Sequence, residues 1–343
     1  MIAMATVLST VTRNAALSRR HALLAATALL AGCVARSAPP GPAVMAPEMD
    51  ADAFTMADGA RLPYRTWLPD GPPTVVVLAL HGFNDSRDAW EIPAPDFAAA
   101  GIAVYSPDQR GFGAAPGRGL WPGGEALVDD AAAMTALLRA RHPGLPLYLM
   151  GESMAGAVLM LLAARPDAPA VAGYVLLAPA VWSRSRMNPF LRSALWLAAT
   201  FLPGVTVSRP PPSVRIYPSD NNDAIRRLAA DPLTVKATRF DTLKGLVDLM
   251  DAAMAIAPGF DAPALFQYGA HDDLVPQDAT RVVWQELPPG PRRAFYPRGW
   301  HFLMRDLHRA EPIADAIAWI RDPAGPLPSP AEARAAAWLA GSA

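Results

Sequence analysis

The chain has a single cysteine, Cys33, in 343 residues, so it can form neither an intramolecular disulfide nor a thiolate-rich metal centre. Lysine is almost missing: Lys236 and Lys244 are the only two, and arginine supplies nearly all the positive charge. The 30 basic and 31 acidic side chains leave a formal net charge of −1, which removes the electrostatic case for a nucleic-acid partner. Histidines number six, and no cluster of His, Cys, Asp and Glu has metal-ligand spacing, so neither a metal nor a cofactor is expected. The apolar stretch at 21–33 is shorter than the ~20 residues a transmembrane helix needs. Hydrophobic residues, in contrast, make up 52% of the chain, enough for a substantial core. The length allows two domains but suits one large α/β unit equally well.

The most informative segment is Gly151-Glu152-Ser153-Met154-Ala155-Gly156. An apolar run at 147–150 precedes it and another at 157–162 follows, which predicts a strand, a tight turn with a serine at its tip, and a helix. Such a turn holds the hydroxyl clear of the sheet, where a base can reach it, and small residues are needed where the two backbones crowd. A serine becomes a nucleophile only with a base in reach and a group that orients the base.

The candidate base is His301, in Gly299-Trp300-His301-Phe302-Leu303 after the predicted strand 294–296. Of the other histidines, His21 lies in a leader and His142 in a helix-ending His-Pro pair. The candidate acid lies in Tyr268-Gly269-Ala270-His271-Asp272-Asp273-Leu274-Val275-Pro276, after the strand 264–267. Either Asp272 or Asp273 can supply the carboxylate, and either can equally open a helix. The order Ser, Asp, His is that of α/β-hydrolases and not of the chymotrypsin or subtilisin arrangements. Upstream, the β-rich run 74–77 leads into Leu78-Ala79-Leu80-His81-Gly82-Phe83. The backbone N–H groups of Phe83 and Met154 are candidate oxyanion donors, and His81 reads as a brace for that loop.

Elsewhere strands and helices alternate, as in a mostly parallel sheet covered on both faces. Residues 53–56 and 61–67 read as a hairpin about Asp58-Gly59. Helical spacing runs over 123–141, and 171–177 is a buried strand. Between 180 and 261 the alternation breaks: an apolar stretch at 188–202 is followed by Pro210-Pro211-Pro212 and helical segments at 222–230 and 242–256. The apolar stretch is either core of the insertion packed on the sheet body or presents a face to an acyl channel or a membrane. Residues 315–320 are assigned to the last helix, and the chain after Pro323 reads as peripheral.

His81-Gly82-Phe83, Asp108-Gln109-Arg110-Gly111-Phe112-Gly113, Gly151-Glu152-Ser153-Met154, Ala230-Asp231-Pro232-Leu233, the 269–276 loop and Trp300-His301 together resemble the monoacylglycerol lipase and lysophospholipase branch of the α/β-hydrolases, a group also described as serine aminopeptidase S33-like. The likeness spans most of residues 50–320. It implies Ser153, Asp272 and His301 as the triad, the spacing of the acid loop matching Asp272 rather than Asp273. It also implies a structural role for the loop at 108–113, a cap over 181–260 on a core of 50–180 and 261–325, and a C-terminal tail at 326–343. The reaction implied is hydrolysis of single-chain lipid esters, with a serine aminopeptidase or a non-catalytic surface lipoprotein of the same fold as alternatives. One position departs from the pattern: Ala155 stands where the group has glycine. Relatives of the fold that work by aspartate or cysteine at the elbow are excluded by the serine at 153.

The N-terminus carries Arg13, Arg19 and Arg20 before the apolar run that ends in Leu30-Ala31-Gly32-Cys33. A basic region, a short apolar core and small residues before a cut site make a secretory signal, and the last four residues resemble a bacterial lipobox, which implies lipidation at Cys33. Ser18-Arg19-Arg20 partly resembles a twin-arginine signal, so export by either the general or the twin-arginine route is compatible. A signal at 1–33, a proline-rich tether at 34–49 and a lipid anchor place the protein in the bacterial cell envelope. Ala35, not the aspartate associated with inner-membrane retention, favours the outer membrane. The expected partners are a lipid ester and the membrane, met through the anchor and the cap.

Overall fold

The structure, a computed structural model, describes residues 34–208 and 216–341. The signal-like segment with Cys33 lies outside them. Five runs form the centre of the sheet: β4 (Val75–Leu80), β5 (Ile102–Pro107), β6 (Leu147–Glu152), β7 (Gly173–Leu177) and β10 (Ala264–Gly269), each buried along its whole length. Unbroken burial is what a parallel sheet covered on both faces requires. With β1 (Glu48–Met49), β2 (Ala53–Thr55), β3 (Arg61–Trp67) and β11 (Arg292–Tyr296) they make one sheet in the order β1-β2-β3-β5-β4-β6-β7-β10-β11. The pairs from β5 to β11 are parallel, and β1, β2 and β3 join antiparallel at one edge. The β2–β3 hairpin turns at Gly59, whose φ of 79° suits glycine.

Alternate residues of each strand feed two cores. Val76, Leu78 and Leu80 of β4 and Leu147 and Leu149 of β6 pack with α2 (Gly124–Arg141) and α3 (Met154–Ala163). Val75, Val77 and Ala79, with Tyr148 and Met150, pack on the other face with α1 (Ala94–Ala99) and α8 (Ala310–Arg321). Because the central strands run parallel, the loops after β4, β6, β10 and β11 emerge at one end of the sheet, the usual place for a site in an α/β fold.

Between β7 and β10 the chain forms α4 (Pro189–Phe201), the short strand β8 (Thr206–Val207), α5 (Asn222–Ala230), β9 (Thr238–Arg239) and α6 (Phe240–Ile256). Helix α6 is seated on the body: Gly245 lies so close to the Trp121 ring that a Cβ there would come within 2.4 Å of it. Helix α4 behaves differently, having no buried residue. Phe190 is 82% exposed, Trp196 59% and Phe201 60%; Leu195 packs partly buried against the main core, while these larger apolar side chains face outward.

Two parts differ from expectation. The proline-rich segment after Cys33 is extended and mostly exposed, but it is tied to the body. Arg36 N donates to Asp241 and Gly41 N to Asp58, both at 3.0 Å, and Ala38 N donates to Trp121 O at 3.0 Å. Nor is the chain after Pro323 peripheral. It forms α9 (Ala331–Leu339) beyond α7 (Gln277–Glu286) and α8, and Trp338 is buried against Phe295, its ring stacked at 4.8 Å, and Trp284 at 5.5 Å. The tryptophan supplies apolar area that the alanine-rich local sequence does not advertise.

Candidate active site

Ser153 sits between β6 and α3 with φ 55° and ψ −115°, a backbone state that costs a non-glycine residue about 1–3 kcal/mol. The surroundings impose it. Ser153 N donates to Leu177 O at 2.9 Å, and Ser153 O accepts from Ala180 N at 2.9 Å and Ala157 N at 3.2 Å. The flanking glycines have no room for a side chain: a Cβ on Gly151 would meet the Ala155 carbonyl oxygen at 2.8 Å, and one on Gly156 the Pro179 Cβ at 2.8 Å. Ala155 is fully buried in the same turn, so the turn forms with alanine there. From the other side Gly82 approaches, where a Cβ would lie 3.4 Å from that of Ser153. The loop after β4 therefore rests against the serine.

Met154 begins α3, so its N–H belongs to the first turn, whose donors have no partner within the helix. Among the described residues neither the Phe83 nor the Met154 N–H donates to another backbone or side-chain group. His81, fully buried, is occupied in holding their loop. Its Nε2 accepts from Gln109 N at 3.1 Å, which leaves the proton on Nδ1 to donate to Gly82 O at 2.8 Å. Burial lowers its pKa, in keeping with a neutral ring. Gln109 returns a second bond to His81 O at 2.6 Å. The rest of the 108–113 loop is similarly committed: Asp108 accepts from Arg87 N at 2.7 Å, and Arg110 pairs with Asp58 at 2.7 Å and Asp130 at 2.8 Å.

His301 and Asp272 meet directly. His301 Nδ1 lies 2.8 Å from Asp272 Oδ2, with both residues buried. The other Asp272 oxygen accepts the N–H groups of Leu274 and Val275, each at 2.8 Å, which fixes the carboxylate. Asp273 points elsewhere, its exposed carboxylate accepting Tyr217 N at 3.1 Å. Of the two neighbouring aspartates it is therefore Asp272, the one the resemblance implies, that meets His301. Burial pushes the His301 pKa down, but the Asp272 carboxylate bonded to it and the Glu152 carboxylate nearby push it up by more, so the net shift is upward. His301 Nε2 makes no hydrogen bond among the described residues, to Ser153 or otherwise; the serine and the histidine share the carboxyl end of the sheet.

Two residues near the histidine escaped the sequence. Arg305, four residues on, is buried and pairs with Asp85 at 2.8 Å and with Glu152. Asp306, also buried, accepts Trp300 N at 3.0 Å and His308 N at 2.7 Å, and burial pushes its carboxyl up to about 6. Neither motif nor spacing marks them; only Glu152, an acid placed among the apolar and small residues of the elbow, hints that a cation must arrive.

A cleft of about 940 Å³ opens between Phe83 and the segment that joins β7 to β10. Its walls are mainly apolar, with Val207, Ile225, Leu228, Val235 and Leu243, and among the described residues Lys236 is the single ionisable side chain lining it. Among the described residues no group of three or more acidic, histidine or cysteine side chains could hold a metal.

The chain matches the family model for serine aminopeptidase, S33, over residues 71–308. It is 26% identical to the monoacylglycerol lipase of Mycolicibacterium smegmatis over 281 residues, which is 78% of this chain and 95% of that protein. It is 28% identical to the human monoglyceride lipase over 274 residues, 76% of this chain and 86% of the relative. Among solved structures, a soluble variant of the Saccharomyces cerevisiae monoglyceride lipase in complex with a substrate analogue superposes with a TM-score of 0.65 at 20% identity, covering 83% of this chain and 98% of that one. With the strained serine turn and the buried His–Asp pair at one end of a mostly parallel sheet, these likenesses carry one conclusion: the chain has the α/β-hydrolase fold and belongs to the serine aminopeptidase S33 family.

Proposed function

We propose that the protein is a serine hydrolase that cleaves carboxylic esters of single-chain lipids, monoacylglycerols or lysophospholipids, through an acyl-enzyme on Ser153. The observation that carries this reading is the buried His301–Asp272 pair at 2.8 Å at the same end of the sheet as a serine held at φ 55°. His301 takes the Ser153 proton on Nε2 as Oγ attacks the ester carbonyl, and Asp272 stabilises the imidazolium that forms. The N–H groups of Phe83 and Met154 receive the oxyanion, a contribution of about 2.7–4 kcal/mol for each donor of this kind. The imidazolium returns its proton to the departing alcohol. Water, deprotonated by His301, then releases the fatty acid from the serine.

The apolar cleft that begins at Phe83 suits an acyl chain, and the relatives above are lipases of monoacylglycerol by name. An aminopeptidase would need a free acid in the cap to hold the substrate amine. The cap aspartates are engaged: Asp248 and Asp251 with Arg184, Asp223 with Arg226, and Asp220 with Leu307 N. None of them lines the cleft.

The reading includes a lipid anchor at Cys33, in the outer membrane of a bacterial envelope. It is supported by the lipobox-like sequence and by the exposed apolar face of α4, which suits a bilayer surface. Hydrolysis of monoacylglycerols, lysophosphatidylcholine and graded p-nitrophenyl esters, beside aminoacyl-p-nitroanilides, tests the activity. Ester turnover that rises with chain length and vanishes in Ser153→Ala is the expected result, and turnover of the anilides alone would replace the esterase by a peptidase.

A further inference from the structure

Three charged side chains are buried together beside the site, Asp85 and Arg305 on two different loops and Glu152 at the end of β6. Asp85 lies two residues after Phe83, Glu152 immediately before Ser153, and Arg305 four residues after His301. Their exposures are 4%, 3% and 5%. Arg305 Nη1 donates to Asp85 Oδ2 at 2.8 Å and its Nη2 to Glu152 Oε1. The guanidinium also stacks over the Phe302 ring at 3.8 Å, and the Arg305 carbonyl accepts Asn221 Nδ2 of the cap at 2.8 Å. Buried ion sets of this kind add little net stability, and well-packed apolar residues can often replace them without loss. Their presence where three loops converge therefore calls for a reason other than holding the fold.

We propose that Arg305 is a positioning residue whose fork fixes the oxyanion loop, through Asp85, to the nucleophile turn, through Glu152, while its own backbone brings the His301 loop into the same joint. The proposal rests on the esterase reading above. A fork is required: guanidinium donors reach two carboxylates in fixed directions, and an ammonium cannot reproduce that geometry. The same side chain trims the charge around the base. The groups facing His301 are Asp272 and Glu152, which raise its pKa, and Arg305, which lowers it. Asp85 neutralises the far side of Arg305.

The test uses the full-length protein and a soluble p-nitrophenyl ester, with Arg305→Met, Arg305→Lys, Glu152→Gln and Asp85→Asn. Misplacement of catalytic groups by about 1 Å costs on the order of 10²-fold in rate, so Arg305→Met should lower kcat about 100-fold with KM within about threefold. The acid limb of its kcat/KM profile should move to higher pH, while that of Glu152→Gln should move to lower pH, opposite displacements that general loosening of the fold would not produce. Arg305→Lys should return the acid limb towards its original position without restoring kcat. If Arg305→Met does not fold, Asp85→Asn and Glu152→Gln, which keep the volume, carry the test through the same kcat and pH readouts. Folded variants that keep wild-type kcat, or that all move the limb in one direction, would overturn the proposal. Fluorophosphonate labelling of Ser153 in the unaltered protein separates the two failures: no label sinks the esterase reading itself, whereas label with unimpaired variants sinks only the role of Arg305.

Discussion

Gly269 and Gly299 face each other backbone to backbone, so closely that a Cβ on Gly269 would stand 2.4 Å from the Gly299 carbonyl carbon. The contact is secured by His271 N donating to Gly299 O at 2.8 Å. It sets the distance between the loop carrying Asp272 and the loop carrying His301. Gly269→Ala must push the two apart. Overpacking of this kind costs about 1–3 kcal/mol, and each kcal/mol lowers the melting temperature by roughly 1–2 °C in a chain of 343 residues. The variant should melt several degrees early and lose turnover beyond its loss of folded protein. Calorimetry beside active-site titration checks both.

The two adjacent aspartates make a sharper experiment. Asp272 holds His301 and is itself held by two backbone N–H groups; Asp273 is an exposed acceptor for Tyr217 N. Loss of the orienting carboxylate in such a triad lowers kcat about 10⁴-fold. Asp272→Asn should approach that figure, and Asp273→Asn should stay within a few-fold of the parent. The reverse ranking would move the triad acid by one residue.

The serine turn could be read from the sequence because strand, turn and helix are consecutive, and every residue that shapes the turn is a neighbour in the chain. Composition and position alone narrow the acid only to a pair, since Asp272 and Asp273 share one loop; it is the resemblance, through the spacing of that loop, that implies Asp272, the residue whose carboxylate meets His301 in the structure. Arg305 was invisible for a related reason. An arginine on a loop looks like any other until Asp85 and Glu152, 220 and 153 residues away, are brought to it. Helix α9 was missed because Pro326, Pro328 and Pro330 precede an alanine-rich stretch, and only the distant Trp284 and Phe295 give Trp338 a place to be buried.

That burial gives a third prediction. Trp338 packs on Phe295 and Trp284 and lies under the Arg281 guanidinium at 4.7 Å. Truncation of a buried tryptophan to alanine costs about 3–5 kcal/mol. Trp338→Ala should lose stability on that scale in urea while the kcat of the remaining folded protein falls no more than a few-fold, because the ring reaches the Asp272 loop only through Tyr268, on which it packs at 5.9 Å and whose hydroxyl donates to Val275 O at 2.6 Å. A deletion from residue 326 should be worse still.

The pH dependence follows from the upward shift of His301. A general base must be unprotonated in the free enzyme, so kcat/KM should fall as pH drops through a value above 6.5, the ordinary histidine value. The sign for stability is opposite. A base whose folded pKa exceeds its unfolded one contributes stability that is complete below the unfolded value and is lost as pH rises through the folded one. The protein should therefore gain activity and lose the His301 contribution to stability over the same interval. Rate profiles and urea midpoints taken from pH 5 to pH 9 would show the two trends crossing, and an acid limb below 6.5 would refute the assignment.

The last prediction concerns where a lipid on Cys33 would leave the body. Val34 O accepts Arg239 Nη2 at 3.2 Å and Arg36 N donates to Asp241 at 3.0 Å, while Arg239 and Asp241 pair with each other at 2.6 Å. Thr238 and Leu243, on either side of that pair in the chain, line the apolar cleft. Phe240 N and Asp241 N are bonded to Val205 O and Pro203 O, next to the exposed Phe201, Leu202 and Val207. The residues that follow Cys33, the cleft and the exposed apolar surface thus adjoin one another around Arg239 and Asp241, so a molecule lipidated at Cys33 would turn its cleft towards its own bilayer. Tethering raises the local substrate concentration without any new contact. Protein lipidated at Cys33 and reconstituted in vesicles should hydrolyse monoacylglycerol in the same vesicle at least about tenfold faster than in separate vesicles. Cys33→Ser should abolish the difference without altering turnover of a soluble ester, and Asp241→Ala, which frees the first residues of the tether, should reduce it. Equal rates on the two vesicle populations would show that the anchor does not orient the cleft.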